Sequence, residues 1–414
     1  MNHYLRAHAE QIIRQSIDAV KPDAAVNRIL TRHPPRGNVY LVAAGKAAWK
    51  MAEAALHHIP QGIRGGVVIT KYGHVPHPLP GIECYEAGHP VPDENGIRGT
   101  KAALELTEHL TKADTVLFLL SGGGSALFEQ PLIPLKQLQE LTGQLLACGA
   151  DIVEMNTIRK RLSGVKGGRF AQWCAPAKVE AIVLSDILGD PLDMIASGPA
   201  APDLSICDQA MEIIRKYRLS VNPQIELLLR QETPKQLDYV ESYVIGSVRE
   251  LCRAAEAACR ELGYETVFLT DQLCCEARHA GGFLASILKS HRNAAKPIAF
   301  LAGGETVVHL TGKGLGGRNQ EIALGAAEIL RGLSYAAIAS AGSDGTDGPT
   351  DAAGGYVDGD SYEELCAAGY TPSTVLAEND AYHALKAVNG LIITGPTGTN
   401  VNDITIALLN RSGI

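Results

Sequence analysis

PIAFLAGGETVVHLTGKGLGGRNQEIALGAAEILRGLSYAAIASAGSDGTDGPTDAAGGY, residues 297–356, alternates strand-like and helix-like pieces across glycine-rich breaks. The apolar run 298–302 stops at Gly303-Gly304-Glu305, and a second β-rich piece covers 306–310. A glycine-dense loop, 312–317, carries Lys313 and runs into Arg318. Residues 319–330 have the spacing of a helix, and 335–339 form another apolar strand that leads to Asp344, Asp347 and Asp351. Glycine lets backbone approach a ligand closely, lysine and arginine recognise anions, and carboxylates at strand ends hold metal ions. The stretch therefore predicts an α/β sheet whose loop ends handle an anionic, phosphorylated substrate.

The alternation extends upstream: strand 243–248, helix 249–262, strand 266–269 and helix 277–289, with short connections. Such a run implies right-handed crossovers and a mostly parallel sheet. Earlier apolar strands fall at 38–44, 66–70, 114–120 and 179–184, while 4–30 reads as amphipathic helix. A chain of 414 residues exceeds what one core usually supports. We therefore expect two α/β domains, 1–235 and 236–414, each with a mostly parallel sheet flanked by helices in the Rossmann-like manner.

Polar groups collect where these strands end. Lys46 follows Gly45 after strand 38–44, at the start of a small-residue helix. There it could meet a phosphate or carboxylate, and a solvated turn lysine fits the position equally well. The loop is not a Walker A motif, because the preceding glycine spacing and the following Ser/Thr are missing. Strand 114–120 opens into Ser121, Gly122, Gly123, Gly124 and Ser125, a potential nest of amides for anion oxygens. Strand 179–184 closes on Asp186, with Asp190 four residues on, where α/β proteins place ligand contacts. A cap and a turn are the plainer reading of those two acids.

Five cations lie between Arg159 and Arg169, among them Lys166, which adjoins Gly167 and Gly168. An anion-binding loop competes here with a solvated helix face. His74, His77 and His89 match no zinc spacing, so 88–93 reads as a shaped loop before a helix started by Asp93. Asn379, Asn400 and Asn402 sit in loops where they could orient a nucleotide or satisfy turn backbone.

A net charge of −8 argues against a nucleic-acid or membrane partner, where a basic face is expected. Nine cysteines without a CxxC pair suit a reducing compartment, the cytoplasm. No apolar run approaches the length of a membrane span. Two chemistries remain. Phosphoryl transfer needs metal-bridged phosphates, cations and a carboxylate near the attacking hydroxyl, and this chain offers all of those groups. A dinucleotide oxidoreductase has a literal G-x-G-x-x-G at 312–317, but the next strand ends on Ala339-Ser340 rather than on an acid.

Eight blocks, in order, span nearly the whole chain: AAGKAAWKMA (43–52), GHPVPDENG (88–96), LLSGGGSALFEQP (119–131), NTIRKRLSGVKGGR (156–169), LSDILGDPLDMIASGP (184–199), GGRNQEIAL (316–324), SAGSDGTDGPTDAAGG (340–355) and TGPTGTNVND (394–403). Together they resemble the glycerate 2-kinase family, in which a large N-terminal domain precedes a C-terminal MOFRL-type domain. The resemblance implies ATP-dependent phosphorylation of the 2-hydroxyl of D-glycerate, with Mg2+ or another divalent cation and an active site between the domains. Some relatives carry a hydroxypyruvate reductase label, which keeps an NAD(P)H-dependent reductase as the alternative. Carried onto this chain, the resemblance makes Lys46, Arg318 and Asp186 catalytic. It assigns substrate contacts to Ser121, Gly122, Gly123, Gly124, Ser125, Arg159 and Lys166. Nucleotide contacts fall to Gly314, Gly316, Gly317, Asn319 and Asn400, and metal contacts to Asp190, Asp344, Asp347 and Asp351. It leaves room for a homodimer.

Overall fold

The computed structural model describes residues 1–60 and 62–411. The chain folds as two compact units, Pro22–Ile245 and a second assembled from Met1–Lys21 with Gly246–Ile414. This differs from a division at 235/236 at both ends. The expected helix 4–30 is two helices, His3–Ala19 and Pro22–Arg32, and each belongs to a different unit. Pro22 causes the break: it has no N–H to continue the first helix, and its fixed φ suits the first position of the second.

The unit Pro22–Ile245 holds a sheet of β1 (Asn38–Ala44), β2 (Ile63–Lys71), β3 (Ile82–Ala87), β4 (Asp114–Leu120), β5 (Lys178–Leu184) and β6 (Val240–Gly246). Their order is β3-β2-β1-β4-β5-β6, and the neighbours from β3 through β5 pair in parallel. Every residue of β4, DTVLFLL, is buried, as a strand covered on both faces requires. Phe118, Phe128 and Phe170 pack against one another in tilted and edge-to-face pairs, 4.8–5.5 Å between ring centroids. A second apolar cluster, including Leu138, Ile158, Ile213 and Leu229, knits the helices between β4 and β6.

The other unit holds β7 (Glu265–Leu273), β8 (Ile298–Gly304), β9 (Ala336–Gly342), β10 (Gly354–Asp358), β11 (Leu391–Ile392) and β12 (Asp403–Leu409), ordered β11-β10-β9-β12-β8-β7. Strands β7, β8, β9 and β11 run the same way. Strands β10 and β12 are reversed, so every adjacent pair except β7–β8 is antiparallel. Among the described residues the piece 306–310 makes a single bridge, Val307 to Glu276, and its Val307 and Leu310 face solvent.

Helix Arg318–Leu330 packs on helix Ala277–Ser290 through Gly281 and Gly325. A side chain at either glycine would collide with the partner's backbone. Helix His3–Ala19 packs on helix Val248–Glu261 and reaches β9 and β12. Among the described residues no helix is long and apolar enough to cross a membrane.

Candidate active site

In the N-terminal sheet the chain leaves β1 toward β2 on one side, and β4 sits on the other. The gap between β1 and β4 is thus the point where strand order reverses, the place where open α/β sheets bind ligands. The loops carrying Lys46 and Ser121 both start there. The two strand ends are stitched past the sheet: the Ser121 amide donates to the Ala44 carbonyl at 3.0 Å and the Lys46 amide to the Gly122 carbonyl at 2.9 Å. The Ala47 amide donates to Ser121 Oγ at 3.0 Å. Gly45, at φ 125°, has no room for a side chain because Ser121 lies against it.

Over this stitch three charged or titratable side chains converge. A Cβ on Gly122 would collide with the Asp186 carboxylate. On Gly123, whose φ is 87°, a Cβ would sit 3.1 Å from His89 Nε2 and 3.2 Å from Lys46 Cγ. Glycine is therefore required by what crowds the loop as well as by the loop's own conformation. Burial, reinforced by the cations of Lys46 and Lys71, lowers the His89 pKa below its ordinary 6.5, with Asp186 opposing. Local sequence carries no signal for this role of His89, because its neighbours come from other strands. Asp93 does start the following helix, accepting from the Gly96 amide, and its other oxygen accepts from Gly88 and fixes the turn that holds His89.

The cation-rich segment turns mostly inward. Lys166 is fully buried, 2.9 Å from Glu129 and donating to the Phe128 carbonyl at 2.8 Å, so its expected contact with substrate is replaced by an internal ion pair. Lys160 pairs with Asp193 and Asp203, and Arg161 donates to Ser205 and pairs with Glu232. Arg159 is the member that reaches the loop, donating from Nη2 to the Ser125 carbonyl at 3.2 Å. Its Nε is buried without a hydrogen-bond partner among the described residues. Ser125 meets Ser197, which donates to Asn156 at 2.9 Å. Asp190, at φ 53°, lies in the loop beyond β5.

In the second unit, β12 is antiparallel to both β8 and β9, so its first residue, Asp403, stands where those strands end. Arg318, the first residue of its helix, binds Asp403 through Nε at 2.6 Å and Nη2 at 3.1 Å, and Glu305 through Nη1 at 2.8 Å. Burial opposes the charge on Arg318, but Asp403 outweighs it and the guanidinium pKa rises. Burial also pushes Asp403 up to about 6, against the pull of Arg318. Asp403 is the partner that reading Arg318 from sequence leaves out.

The loop 312–317 does not form an anion nest. The amides of Gly312, Gly314 and Leu315 donate to Asn379, the Glu378 carbonyl and Asp380, and Gly314 and Gly316 lie against residues 378–381. Gly317 leaves space for Asp347, whose carboxylate accepts from the amides of Asn319 and Gln320. That helix N-terminus is thereby closed by the protein's own anion, which removes the pyrophosphate cradle a dinucleotide would need. Asn319 is buried between Asp347 and Ser340 and does not face a ligand.

The four aspartates expected to hold metal do not form one ligand set. Asp347 caps the helix, Asp351 accepts from the Tyr382 hydroxyl at 2.8 Å, and Asp190 is in the other unit. Among the described residues no group of three or more His, Cys, Asp or Glu is placed to hold a metal ion. Asp344 is at the end of β9, where it accepts from the Thr346 amide at 2.9 Å. Its carbonyl accepts from Thr397, and Asn400 and Val401 complete this laced pair of loops.

Comparison with known proteins agrees with this architecture. A family model described as a domain of unknown function, DUF4147, matches residues 8–230, and the MOFRL family model matches 298–403. The chain is 53% identical to a D-glycerate 2-kinase of Thermotoga maritima, covering 98% of each. It is 42% identical to a glycerate 2-kinase of Pyrococcus horikoshii, covering 90% of this chain and 88% of that one. A crystal structure of a glycerate kinase from Thermotoga maritima superposes with a TM-score of 0.95 at 52% identity, over 98% of this chain and 99% of that one. With two matched domain models, full-length relatives and a shared fold, this chain belongs to the glycerate 2-kinase family.

Proposed function

We propose that this protein transfers the γ-phosphoryl group of ATP to the 2-hydroxyl of D-glycerate, giving 2-phosphoglycerate. The observation that carries the reading is the convergence of Lys46 and Asp186 on the 121–125 loop at the reversal point of the N-terminal sheet. A small hydroxy acid presents a carboxylate and a hydroxyl within a few ångströms of each other. The ammonium of Lys46, the loop and the unpaired Nε of Arg159 offer donors to the carboxylate or to the incoming phosphate, and Asp186 offers an acceptor to a hydroxyl.

Arg318 has the matching role at the phosphoryl group. Asp403 grips one edge of the guanidinium, while the third contact goes to the exposed Glu305. That outer contact is the one an oxyanion can replace, because a solvated ion pair contributes little and is readily exchanged. The charge that develops on the transferred group would then be neutralised by a cation already oriented. Mg2+ enters with the nucleotide: it prefers phosphate oxygens and waters with one or two carboxylates, and Asp344 is the carboxylate here that suits that demand. Bound, the cation would neutralise phosphate charge. Asn400, in the loop laced to Asp344, is the remaining candidate for a nucleotide contact.

The test is direct. Protein, D-glycerate, ATP and Mg2+ are mixed, and the product is identified by phosphorus NMR as 2-phosphoglycerate. Oxidation of NADH by hydroxypyruvate without need for ATP would overturn the reading.

A further inference from the structure

We propose that His89 is a further catalytic residue, the base that receives the proton of the glycerate 2-hydroxyl. This rests on the kinase reading above and goes beyond it by naming the proton's destination. The geometry comes first. His89 Nε2 lies 3.1 Å from the place where Gly123 would carry a side chain, and Lys46 Cγ lies 3.2 Å from the same place. The Asp186 carboxylate occupies the corresponding space at Gly122. The imidazole therefore faces the same small volume, above two consecutive glycines, as the two side chains assigned to substrate.

The mounting of this ring is rigid. Asp93 Oδ2 accepts from the Gly88 amide at 2.9 Å and from the Tyr72 hydroxyl at 2.7 Å, while Oδ1 accepts from the Gly96 amide at 3.0 Å. One carboxylate thus ties the end of β3, the end of β2 and the start of the next helix. Within the protein, neither ring nitrogen of His89 has a hydrogen-bond partner among the described residues. A histidine held this firmly, half-buried and without an internal partner, is set up for an external one.

Its surroundings keep it able to accept. Lys46, Lys71 and His74 each disfavour an imidazolium, Asp186 favours one, and burial disfavours it most. The net effect keeps the ring neutral at physiological pH with a lone pair available, which is the state a base requires. In the step itself, the C2 hydroxyl oxygen bonds to the γ-phosphorus as the bond from that phosphorus to the β–γ bridging oxygen breaks. ADP leaves with the bonding electron pair, the hydroxyl proton passes to a His89 ring nitrogen, and solvent later takes it.

The experiment measures kcat and KM for D-glycerate across pH 5–9 in wild type, His89→Gln and His89→Ala, with circular dichroism and thermal melting to confirm the fold. Loss of a positioned base predicts a fall in kcat of about 100-fold or more with KM for glycerate changed far less. The acidic limb of log kcat, below pH 6.5 in wild type, disappears in His89→Gln, and added imidazole restores part of the turnover of His89→Ala. A folded His89→Gln variant with kcat within threefold of wild type, or with its acidic limb intact, overturns the assignment. So does a rise in KM alone, which would make His89 a ground-state contact. If both variants unfold, the wild-type pH profile decides the question: a log kcat with no acidic limb between pH 5 and 6.5 overturns the assignment. Wild-type protein that forms no 2-phosphoglycerate would instead defeat the kinase reading itself.

Discussion

Arg318 and Asp403 face each other through two contacts, 2.6 Å and 3.1 Å, although 85 residues separate them in the chain. The pairing places a cation at the start of a helix, where backbone N–H groups already concentrate positive potential. Such an arrangement disfavours the arginine unless a carboxylate compensates. Replacing Arg318 with alanine should lower kcat by at least ~100-fold, since removing a donor to developing charge typically costs that much, and should also cost stability because Asp403 loses its partner. Lys46→Ala should lower kcat alike. Steady-state kinetics on variants with unchanged circular dichroism checks both, and turnover near wild type would take that residue out of the reaction.

Asp403 also gives stability a pH signature. Its folded pKa is raised to about 6, above the ordinary 3.8 of a free aspartate, because burial disfavours its charge. The native state therefore holds this proton over a range where the unfolded chain has lost it. The group's contribution is complete below pH 3.8 and declines as pH rises through about 6. Asp403→Asn should flatten the change in unfolding free energy between pH 4 and pH 6.5, measured by urea titration at each pH. An unaltered slope would show that the carboxylate is not buried as described.

Gly123 is a sensitive point in the loop. With φ at 87° and His89 and Lys46 beside its missing side chain, Gly123→Ala should cost about 1–3 kcal/mol and depress turnover more than melting temperature alone explains. Gly73, with a similar φ of 79° and open space around it, is the control: Gly73→Ala should carry the strain without the kinetic defect. Equal kinetic losses in the two variants would argue that backbone strain, not the neighbours, matters.

Lys166 should report on stability and not on recognition. It is fully buried against Glu129, so Lys166→Ala leaves an unpaired carboxylate inside the protein, at a cost of about 3–5 kcal/mol. Chemical denaturation measures this directly, and KM for glycerate in the surviving folded fraction should match wild type. A rise in KM of tenfold or more would return Lys166 to the substrate site.

Chelation should abolish turnover reversibly, with Mg2+ restoring it. Asp344→Asn should raise the Mg2+ concentration needed for half-maximal rate by about 10-fold, the scale of losing one ligand or its support. An unchanged metal requirement would move the cation elsewhere.

Lys46 and the 121–125 loop were legible because their signal is local: an apolar strand, then glycine and a polar residue at its tip. The fate of the cations between 159 and 169 was not, because their counter-ions Glu129, Asp193 and Asp203 lie outside that segment and only folding brings them in. The glycines at 312–317 look like a ligand cradle until residues 378–381 are seen to fill it. Glycine reports close approach faithfully but does not say whether the visitor is a ligand or another stretch of the same chain. The strand-and-helix alternation predicted two sheets, but the parallel pairing it implied for the second is confined to β7–β8, because β10 and β12 run against their neighbours. It could not reveal that β12, the last strand, inserts between β8 and β9.

That insertion, together with the placement of helix His3–Ala19, fixes an order of events during synthesis. The helix precedes the Pro22–Ile245 unit in the chain, and its partners include helix Val248–Glu261 and β12, so that unit is made while the apolar stripe of Leu5, Ile12, Ile13 and Ile17 waits uncovered. The middle of the second sheet stays vacant until residues 403–409 leave the ribosome. A nascent chain of this protein therefore carries an unmatched greasy helix and a split sheet until residues 403–409 are available, and that interval is one of exposure to aggregation.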